Sequence, residues 1–226
     1  MNKKVILGIV VALVVVVGAV AAVMLIKNHN NNQEEEMDTT NQTTNNISDS
    51  ADTSASKILV AYFSRADENY NVGTVEVGNT ELLAKEIIAQ TGADEFKITP
   101  VTPYPANYQE TVDKATEERN NNARPEYVGE VADFAQYDTI FIGYPIWWGD
   151  MPMMVYKFLE DYDFSGKTVI PFNTHEGSGS AGTYATIADK LSTANVNTNG
   201  LAITGSTART NRGIGQVKDW LKELGY

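Results

Sequence analysis

From residue 57 onward, the chain alternates short apolar runs with amphipathic stretches. The runs Ile58–Phe63, Thr139–Gly143 and Thr168–Phe172 are rich in β-branched and aromatic residues, which is typical of strands buried on both faces of a sheet. Two shorter apolar segments, residues 96–98 and 201–203, have the same character. The pattern therefore predicts five strands.

Amphipathic stretches with helical periodicity follow the predicted strands. Leu83 and Ile87, for example, lie four positions apart and share one helix face. Asp150 stands where it can cap the third helix. Five strands, each followed by a helix, predict an α/β domain with a doubly wound, five-stranded parallel sheet. The predicted helices span residues 80–90, 107–121, 151–160, 183–191 and 211–224.

The N-terminus has a different pattern. Val5–Ile26 runs for 22 residues without a charged side chain, which is long enough for a helix to cross a bilayer. Lys3 and Lys4 favour an N-terminus that stays in the cytoplasm. Residues 1–27 therefore predict a signal anchor that leaves the rest of a single-pass protein outside the cell membrane. The alternative is cleavage after Ala19-Val20-Ala21 and secretion.

A polar segment joins this predicted anchor to the alternating pattern. Residues 28–56 are rich in Asn, Thr, Ser, Asp and Glu. Such a segment buries too little apolar surface to offset the entropy lost on ordering. The sequence therefore predicts a disordered linker over residues 28–56 and a folded domain over residues 57–226.

Composition excludes several classes of function. A net charge of −12 and a pI of about 4.6 argue against nucleic acid as a partner. The chain has no cysteine, so disulfides, thiol catalysis and Cys-ligated zinc are excluded. His175 is the only histidine of the predicted domain, so a His-based metal site is not expected either.

Three loops leave the carboxyl ends of predicted strands and should meet in space. The first joins Ser64-Arg65 to Gly78-Asn79-Thr80, where a helix begins. Free backbone N–H groups and the positive end of a helix dipole make such a junction suitable for a phosphate. An ordinary strand-to-helix loop is the alternative, and Arg65 could pair with Asp67 or Glu68 instead of phosphate.

The second loop contains Trp147 and Trp148, directly after the clearest buried strand. Consecutive side chains cannot both point into the core, so at least one should face a pocket or the solvent. Aromatic faces at this place suit a flat ring ligand, and Pro145 would keep the loop rigid. A purely structural cover for the end of the sheet is the alternative.

The third loop combines His175 and Glu176 with small residues up to Gly182. Small residues let the backbone approach a ligand and donate N–H groups. No Gly-x-Ser-x-Gly elbow accompanies the histidine, so a Ser-His-Asp triad is unsupported. His175 and Glu176 could polarise a ring or relay a proton, or they could belong to a solvated turn.

The segments ILVAYFSR, GNTELLA, PYPANY, IFIGYPIWWGDMP and FNTHEGSG, followed by the closing helix ending in WLKELGY, occur in this order. In this arrangement the chain from residue 57 to 226 resembles the flavodoxin-like, FMN-binding family, in the branch with a long insertion before Gly-Asn-Thr. The resemblance implies a sheet with strand order 2-1-3-4-5 and FMN as the cofactor.

The resemblance also implies which residues bind the cofactor. One group would hold the FMN phosphate, a second would line the isoalloxazine ring and ribityl chain, and a third would lie along the other edge of the ring. The three groups are Ser64, Arg65, Asn79 and Thr80; Pro145, Ile146, Trp147, Trp148 and Gly149; and Thr174, His175, Glu176, Gly177 and Gly179.

We expect an electron-transfer protein whose partner is a redox protein or a membrane quinone. Residues 57–226 carry about nine excess negative charges, which suits docking to a basic partner. An FMN-dependent NAD(P)H:quinone-type oxidoreductase is the first alternative, because such enzymes bind nicotinamide only transiently. A non-redox binding module on the same fold is the second.

Overall fold

The computed structural model describes residues 56–226. The predicted anchor, residues 1–27, and all but the last residue of the predicted linker, residues 28–56, lie outside the described part. Among the described residues, no helix is long and apolar enough to cross a bilayer.

The described residues form an α/β domain of eight strand segments, six α-helices and one short 3-10 helix, Phe134–Gln136. The strands are β1 (Ile58–Tyr62), β2 (Asp67–Asn69), β3 (Gly73–Val75), β4 (Asp94–Lys97), β5 (Thr139–Pro145), β6 (Thr168–His175), β7 (Asn195–Val196) and β8 (Leu201–Thr204). The helices are α1 (Asn79–Thr91), α2 (Tyr108–Asn120), α3 (Met153–Asp161), α4 (Thr183–Lys190), α5 (Gly205–Ala208) and α6 (Asn211–Leu224).

The main sheet is parallel throughout, in the order β4-β1-β5-β6-β7. β8 also pairs with β6, farther along the same edge than β7. Residues 197–200 separate these two segments, so the fifth strand position is occupied by two short strands instead of the single predicted one. Counted by position, the order is the expected 2-1-3-4-5.

The sheet is covered on both faces, because its central strands alternate residues between two cores. On β1, Leu59 and Ala61 join the core under α3 and α4, whereas Val60 and Tyr62 join the core under α1 and α6. Gly143 in β5 leaves room for a neighbouring ring, since a Cβ there would lie 2.2 Å from Phe172. Burial on both faces explains why these strands are continuous apolar runs.

Both central strands extend farther than the apolar runs predicted. β5 continues to Pro145, and β6 continues to His175. Backbone pairing runs as far as Pro145 opposite Thr174. The first residues of the second and third predicted loops therefore belong to the ends of these strands, and backbone pairing holds them in fixed positions.

The segment between β1 and α1 contains the β2–β3 hairpin, which the apolar pattern did not predict. Glu68 fastens the hairpin to the start of α2, where its carboxylate accepts the N–H of Tyr108 at 2.8 Å. The backbone N–H of Glu68 also donates to the carbonyl of Ala106 at 3.2 Å. The hairpin thus forms a fixed wall beside the carboxyl end of β1.

The prediction that Asp150 caps α3 is wrong. The helix begins two residues later, with Pro152 at its N-cap and no side-chain cap. The carboxylate of Asp150 instead accepts the N–H of Met151 at 2.7 Å and the hydroxyl of Tyr156 at 2.8 Å. Its function is therefore to hold the turn that precedes the helix.

Candidate functional site

A cleft lies at the carboxyl ends of β1, β5 and β6, where a parallel sheet commonly binds ligands. Its empty volume is about 670 Å³, including the part open to solvent. Strand ends, the start of α1, the start of α2 and the β2–β3 hairpin all contribute to it. The lining residues are Ser64, Arg65, Asn69, Tyr70, Asn79, Thr80, Tyr108, Thr111, Pro145, Ile146, Trp147, Thr174, His175 and Glu176.

The first turn of α1 forms one end of the cleft. Ser64 Oγ accepts the backbone N–H of Glu81 at 3.0 Å, and the N–H of Leu82 donates to the carbonyl of Gly78. Within residues 56–226, the N–H groups of Asn79 and Thr80 have no protein acceptor. Two unpaired amides at a helix N-terminus form a site that favours an anion.

Two threonines extend this anion-binding end. The hydroxyl oxygens of Thr80 and Thr174 lie 2.8 Å apart and share a hydrogen bond, and both side chains are buried. This contact joins the first loop to the end of β6. Close packing continues at Gly78, where a Cβ would lie 2.2 Å from Ser64 Oγ, so this position has no room for a side chain.

Arg65 pairs with backbone carbonyls, not with the neighbouring carboxylates. Its guanidinium donates to the carbonyl of Glu68, to that of Pro105 at 2.6 Å and to that of Ala106 at 2.8 Å. The Nε atom is buried without a partner among the described residues. Burial lowers the pKa of Arg65, against the raising effect of Asp67 and Glu68. One buried, unpaired N–H therefore remains on a guanidinium that lines the cleft.

The two tryptophans occupy different environments. Trp147 lies edge-on to Phe63 and to Tyr104, with ring centroids 5.3 and 5.0 Å apart. Trp148 and Gly149 follow in a tight turn with φ values of 55° and 70°, closed by mutual backbone bonds between Trp147 and Asp150. Trp147 therefore forms a wall of the cleft, while Trp148 is 54% exposed.

His175 organises the third loop through its ring. Nδ1 accepts the N–H groups of Gly177 at 2.9 Å and Gly179 at 3.2 Å. A neutral imidazole whose Nδ1 accepts must carry its proton on Nε2. Burial lowers the pKa of His175, and Glu176 partly opposes this effect. The loop geometry and the pKa shift both favour a neutral histidine with one available donor.

Glu176 links the third loop to the segment after β8. Its Oε1 accepts the N–H of Gly205 at 3.0 Å, and a Cβ on Gly205 would lie 2.5 Å from both Glu176 Oε1 and Asn79 Nδ2. Arg209 donates to Asn79 Oδ1 at 3.1 Å and to the carbonyl of Val77 at 2.9 Å. These contacts fix the orientation of Asn79.

The structure brings ten of the fourteen predicted cofactor-binding residues around one cleft. Trp148, Gly149, Gly177 and Gly179 lie outside its lining, although the last two donate to His175. Asn69, Tyr70, Tyr108 and Thr111 line the cleft without having been predicted. Tyr70, an aromatic residue in the largely polar segment between β1 and α1, was the signal that sequence reasoning could have used.

Metal chemistry finds no support in the part of the chain that the structure describes. No group of three or more His, Asp or Glu side chains there could hold an ion. What the cleft offers is unpaired amides and hydroxyls at one end and aromatic and apolar surface at the other. This combination can hold a molecule that joins an anionic group to a flat ring.

Comparison with solved structures gives the same fold. A protein described as a flavoprotein from Bacteroides eggerthii is 28% identical, with a TM-score of 0.60 over 76% of this chain and 99% of its own. One so described from Bacteroides uniformis is also 28% identical, with a TM-score of 0.59 over 74% and 98%. A Lactobacillus acidophilus flavoprotein, solved in complex with FMN, is 22% identical, with a TM-score of 0.54 over 74% and 99%, and shows the fold alone.

A comparison with curated proteins returns no match. The family model described as Flavodoxin matches residues 57–224, which includes all three loops and every residue that lines the cleft. The chain therefore belongs to the flavodoxin family.

Proposed function

We propose that this protein binds FMN in the cleft and transfers electrons to or from a partner, as a membrane-tethered flavodoxin facing outside the cytoplasm. One observation carries the proposal: the unpaired amides of the first turn of α1 and the ring of Trp147 lie on the same cleft. Membership in the flavodoxin family supports FMN as the occupant.

The residues of the cleft fit the phosphate of FMN. The amides of Asn79 and Thr80 can donate to phosphate oxygens, as can the hydroxyl of Ser64, since its oxygen already accepts a bond from Glu81. The unpaired Nε of Arg65 adds a charged donor. Four neutral or positive donors suit a dianion that is taken out of water.

The other residues of the cleft fit a ring with polar edges. Ile146 and Trp147 offer apolar surface, and Trp147 is held by the rings around it. His175 can present an Nε2–H donor. When bound, FMN would supply chemistry in which electrons move one or two at a time. The protein positions the ring, excludes water with Trp147 and keeps a proton on Nε2 of His175.

Charge around the cleft tunes the cofactor. Glu176 lines it, and the domain carries an excess of carboxylates. Nearby negative charge disfavours a further negative charge in a buried ligand. We therefore expect a lowered reduction potential for the bound cofactor.

A visible absorption spectrum of the purified full chain, recorded before and after FMN is added and unbound ligand is removed, tests the proposal. We expect a retained yellow chromophore and quenched tryptophan fluorescence. A colourless protein whose tryptophan fluorescence does not change when FMN is added would instead favour the non-redox binding module.

An FMN-dependent NAD(P)H:quinone-type oxidoreductase is the second candidate. The observation in its favour is that apolar space continues past Trp147 to the exposed Trp148, so that a second ring could approach. Steady-state oxidation of NADH or NADPH with an added quinone separates the two functions. Turnover would identify the enzyme, and the absence of turnover with either nucleotide would support the carrier.

The membrane location is proposed from the N-terminal sequence. Support comes from the 22 uncharged residues Val5–Ile26 behind Lys3 and Lys4. Mass spectrometry of the mature N-terminus in the membrane fraction tests it. An intact N-terminus supports the anchor, whereas a chain that begins after Ala21 and is found in the medium supports secretion.

A further inference from the structure

A second groove adjoins the cleft on the side of α2. It encloses about 500 Å³ of empty space, part of it open to solvent. The groove and the cleft share Tyr108, Thr111, Ile146 and Trp147 as lining residues. An occupant of the groove would therefore lie next to whatever occupies the cleft.

Trp148 forms one wall of this groove in an unfavourable backbone conformation. Its φ of 55° places it in the left-handed region, which is unfavourable for a residue that carries a Cβ. Turns of this kind prefer Asn, Asp or Gly at that position. Trp148 is 54% exposed, so burial offsets little of the strain. Strain kept at an exposed aromatic residue is typical of a functional position.

The lining of the groove is uncharged. Val112 and Ala115 of α2 line it together with Trp148, and no Lys, Arg, Asp or Glu is among its lining residues in the described part of the chain. A flat, uncharged ring matches this lining, because stacking on tryptophan and burial of apolar area both stabilise it.

The N-terminus of α2, beside the groove, already has hydrogen-bond acceptors within the protein. The carboxylate of Glu68 accepts the N–H of Tyr108 at 2.8 Å, and Asn107 Oδ1 accepts the N–H of Glu110 at 3.0 Å. A phosphate placed there would meet a carboxylate in the position that an anion normally takes. The groove therefore disfavours a nicotinamide dinucleotide and favours a neutral ring.

We propose that this groove is a binding site for a neutral, flat ring of the quinone class, which would contact Trp148 and Val112. The proposal rests on the proposed function, since it names the small molecule with which the bound cofactor would exchange electrons. It concerns binding alone and can be tested with or without FMN.

Isothermal titration of the full chain in lipid nanodiscs with menadione, a neutral naphthoquinone, tests the site. Empty nanodiscs correct for partition into lipid, and the absence of cysteine from the chain excludes thiol adducts. We expect saturable binding, and binding that is weaker by about tenfold for a naphthoquinone sulfonate, whose added charge would have to lose water. Equal binding of the two quinones would overturn the proposal.

Variants of two residues that line the groove test whether menadione binds there. We expect Val112→Glu to weaken menadione about tenfold, because it places a carboxylate against the ring, and Val128→Glu, the same change at an exposed site outside the groove, to have no effect. Trp148→Gly should fold well because it relieves the strained φ. It should also weaken menadione binding, and Trp148→Phe should restore that binding. Unchanged menadione binding in both Val112→Glu and Trp148→Gly would refute the site.

FMN titrations separate this inference from the proposed function. Val112 lines only the groove, so Val112→Glu should bind FMN as the wild type does. Competition between FMN and menadione for the wild-type chain would overturn the inference, because the groove would then belong to the flavin site. A wild-type chain that binds menadione but not FMN would support the inference and refute the proposed function.

Discussion

Thr80 contributes both to stability and to ligand binding. Its hydroxyl pairs with that of Thr174 in a buried contact, and its amide is one of the two unpaired donors. We predict that Thr80→Ala lowers the free energy of unfolding by about 1–3 kcal/mol, because the Thr174 hydroxyl loses its partner. Thr80→Ser keeps the hydroxyl and should retain most of the stability.

Loss of these hydroxyl groups should also weaken FMN binding. Ser64→Ala removes the acceptor for the Glu81 amide, and the double variant Ser64→Ala with Thr80→Ala should bind FMN at least about tenfold more weakly. Quenching of tryptophan fluorescence measures the Kd, and Thr102→Ala, which removes an exposed hydroxyl, is the control. Unchanged FMN affinity in the double variant would show that this loop does not bind the phosphate of FMN.

His175 should stay neutral at pH 7 in the folded protein. Burial lowers its pKa below the ordinary value of 6.5, and its Nδ1 accepts two amides that a protonated ring would repel. The unfolded chain then binds more protons than the folded chain at pH values between the lowered pKa and 6.5. The stabilisation is therefore complete above pH 6.5 and is lost as the pH falls through the folded pKa.

NMR titration of the ring protons tests this prediction, with His29→Gln removing the only other histidine signal. The midpoint should lie below 6.5, and nitrogen shifts should place the proton on Nε2. A midpoint at or above 6.5, or a proton on Nδ1, would contradict the hydrogen bonding described for the third loop.

At the scale of elements, one carboxylate joins α3 to two neighbouring segments. Glu160 accepts from Arg124 at 2.6 and 2.9 Å and from Lys190 of α4 at 2.6 Å. These bonds, first among them those from Arg124, lower the pKa of Glu160 to about 2. A depressed carboxylate pKa contributes stability that is complete above the unfolded value of 4.5 and is lost as the pH falls through about 2.

We predict that Glu160→Gln lowers the Tm at pH 7 and that the difference from the wild type shrinks as the pH falls from 4.5 towards 2. Thermal unfolding followed by circular dichroism over this range measures the effect. Glu223→Gln, at an exposed position on α6, should leave the Tm almost unchanged. A difference that is constant with pH would mean that Glu160 acts through packing instead of charge.

The elements of the main sheet could be predicted because each depends on a local pattern. The continuous apolar runs of β1, β5 and β6 arise from burial on both faces, and the amphipathic helices arise from burial on one. The division of the fifth strand into β7 and β8 could not be predicted in this way. It depends on how residues 197–200 leave the edge of the sheet, and two-residue strands have too few positions to show a period.

Sequence reasoning named the residues that line the cleft from the strand ends and from the start of α1. It missed those that line the cleft from the β2–β3 hairpin and from the start of α2. Tyr70 and Tyr108 stack on each other with centroids 5.7 Å apart, but they lie 38 positions apart. Helical periodicity assigns Tyr108 to a helix and does not show that its ring reaches the cleft. From the sequence, Arg65 could bind either a phosphate or a neighbouring carboxylate. Its actual acceptors include the carbonyls of Pro105 and Ala106, which only the folded chain brings near.

At the scale of the whole molecule, charge separates the cleft from its surroundings. The domain has about nine excess carboxylates, yet the ligand end of the cleft is built from amides, hydroxyls and one guanidinium. A negative surface around such a cleft repels free anions at long range and attracts basic proteins. Electron exchange with a basic partner should therefore be faster at low ionic strength than at high ionic strength, where the attraction is screened.

The last prediction concerns which part of the chain suffices for ligand binding. Among the described residues, those that line the cleft lie from Ser64 to Glu176, and the segments that hold them in place lie within residues 57–226. We predict that a chain beginning at Lys57 folds and binds FMN with the same Kd as the full chain, measured by fluorescence titration. A weaker Kd in the shortened chain, with an unchanged circular dichroism spectrum, would mean that residues before 57 contact the ligand or the cleft. Equal Kd values would show that residues 1–56 do not contribute to FMN binding.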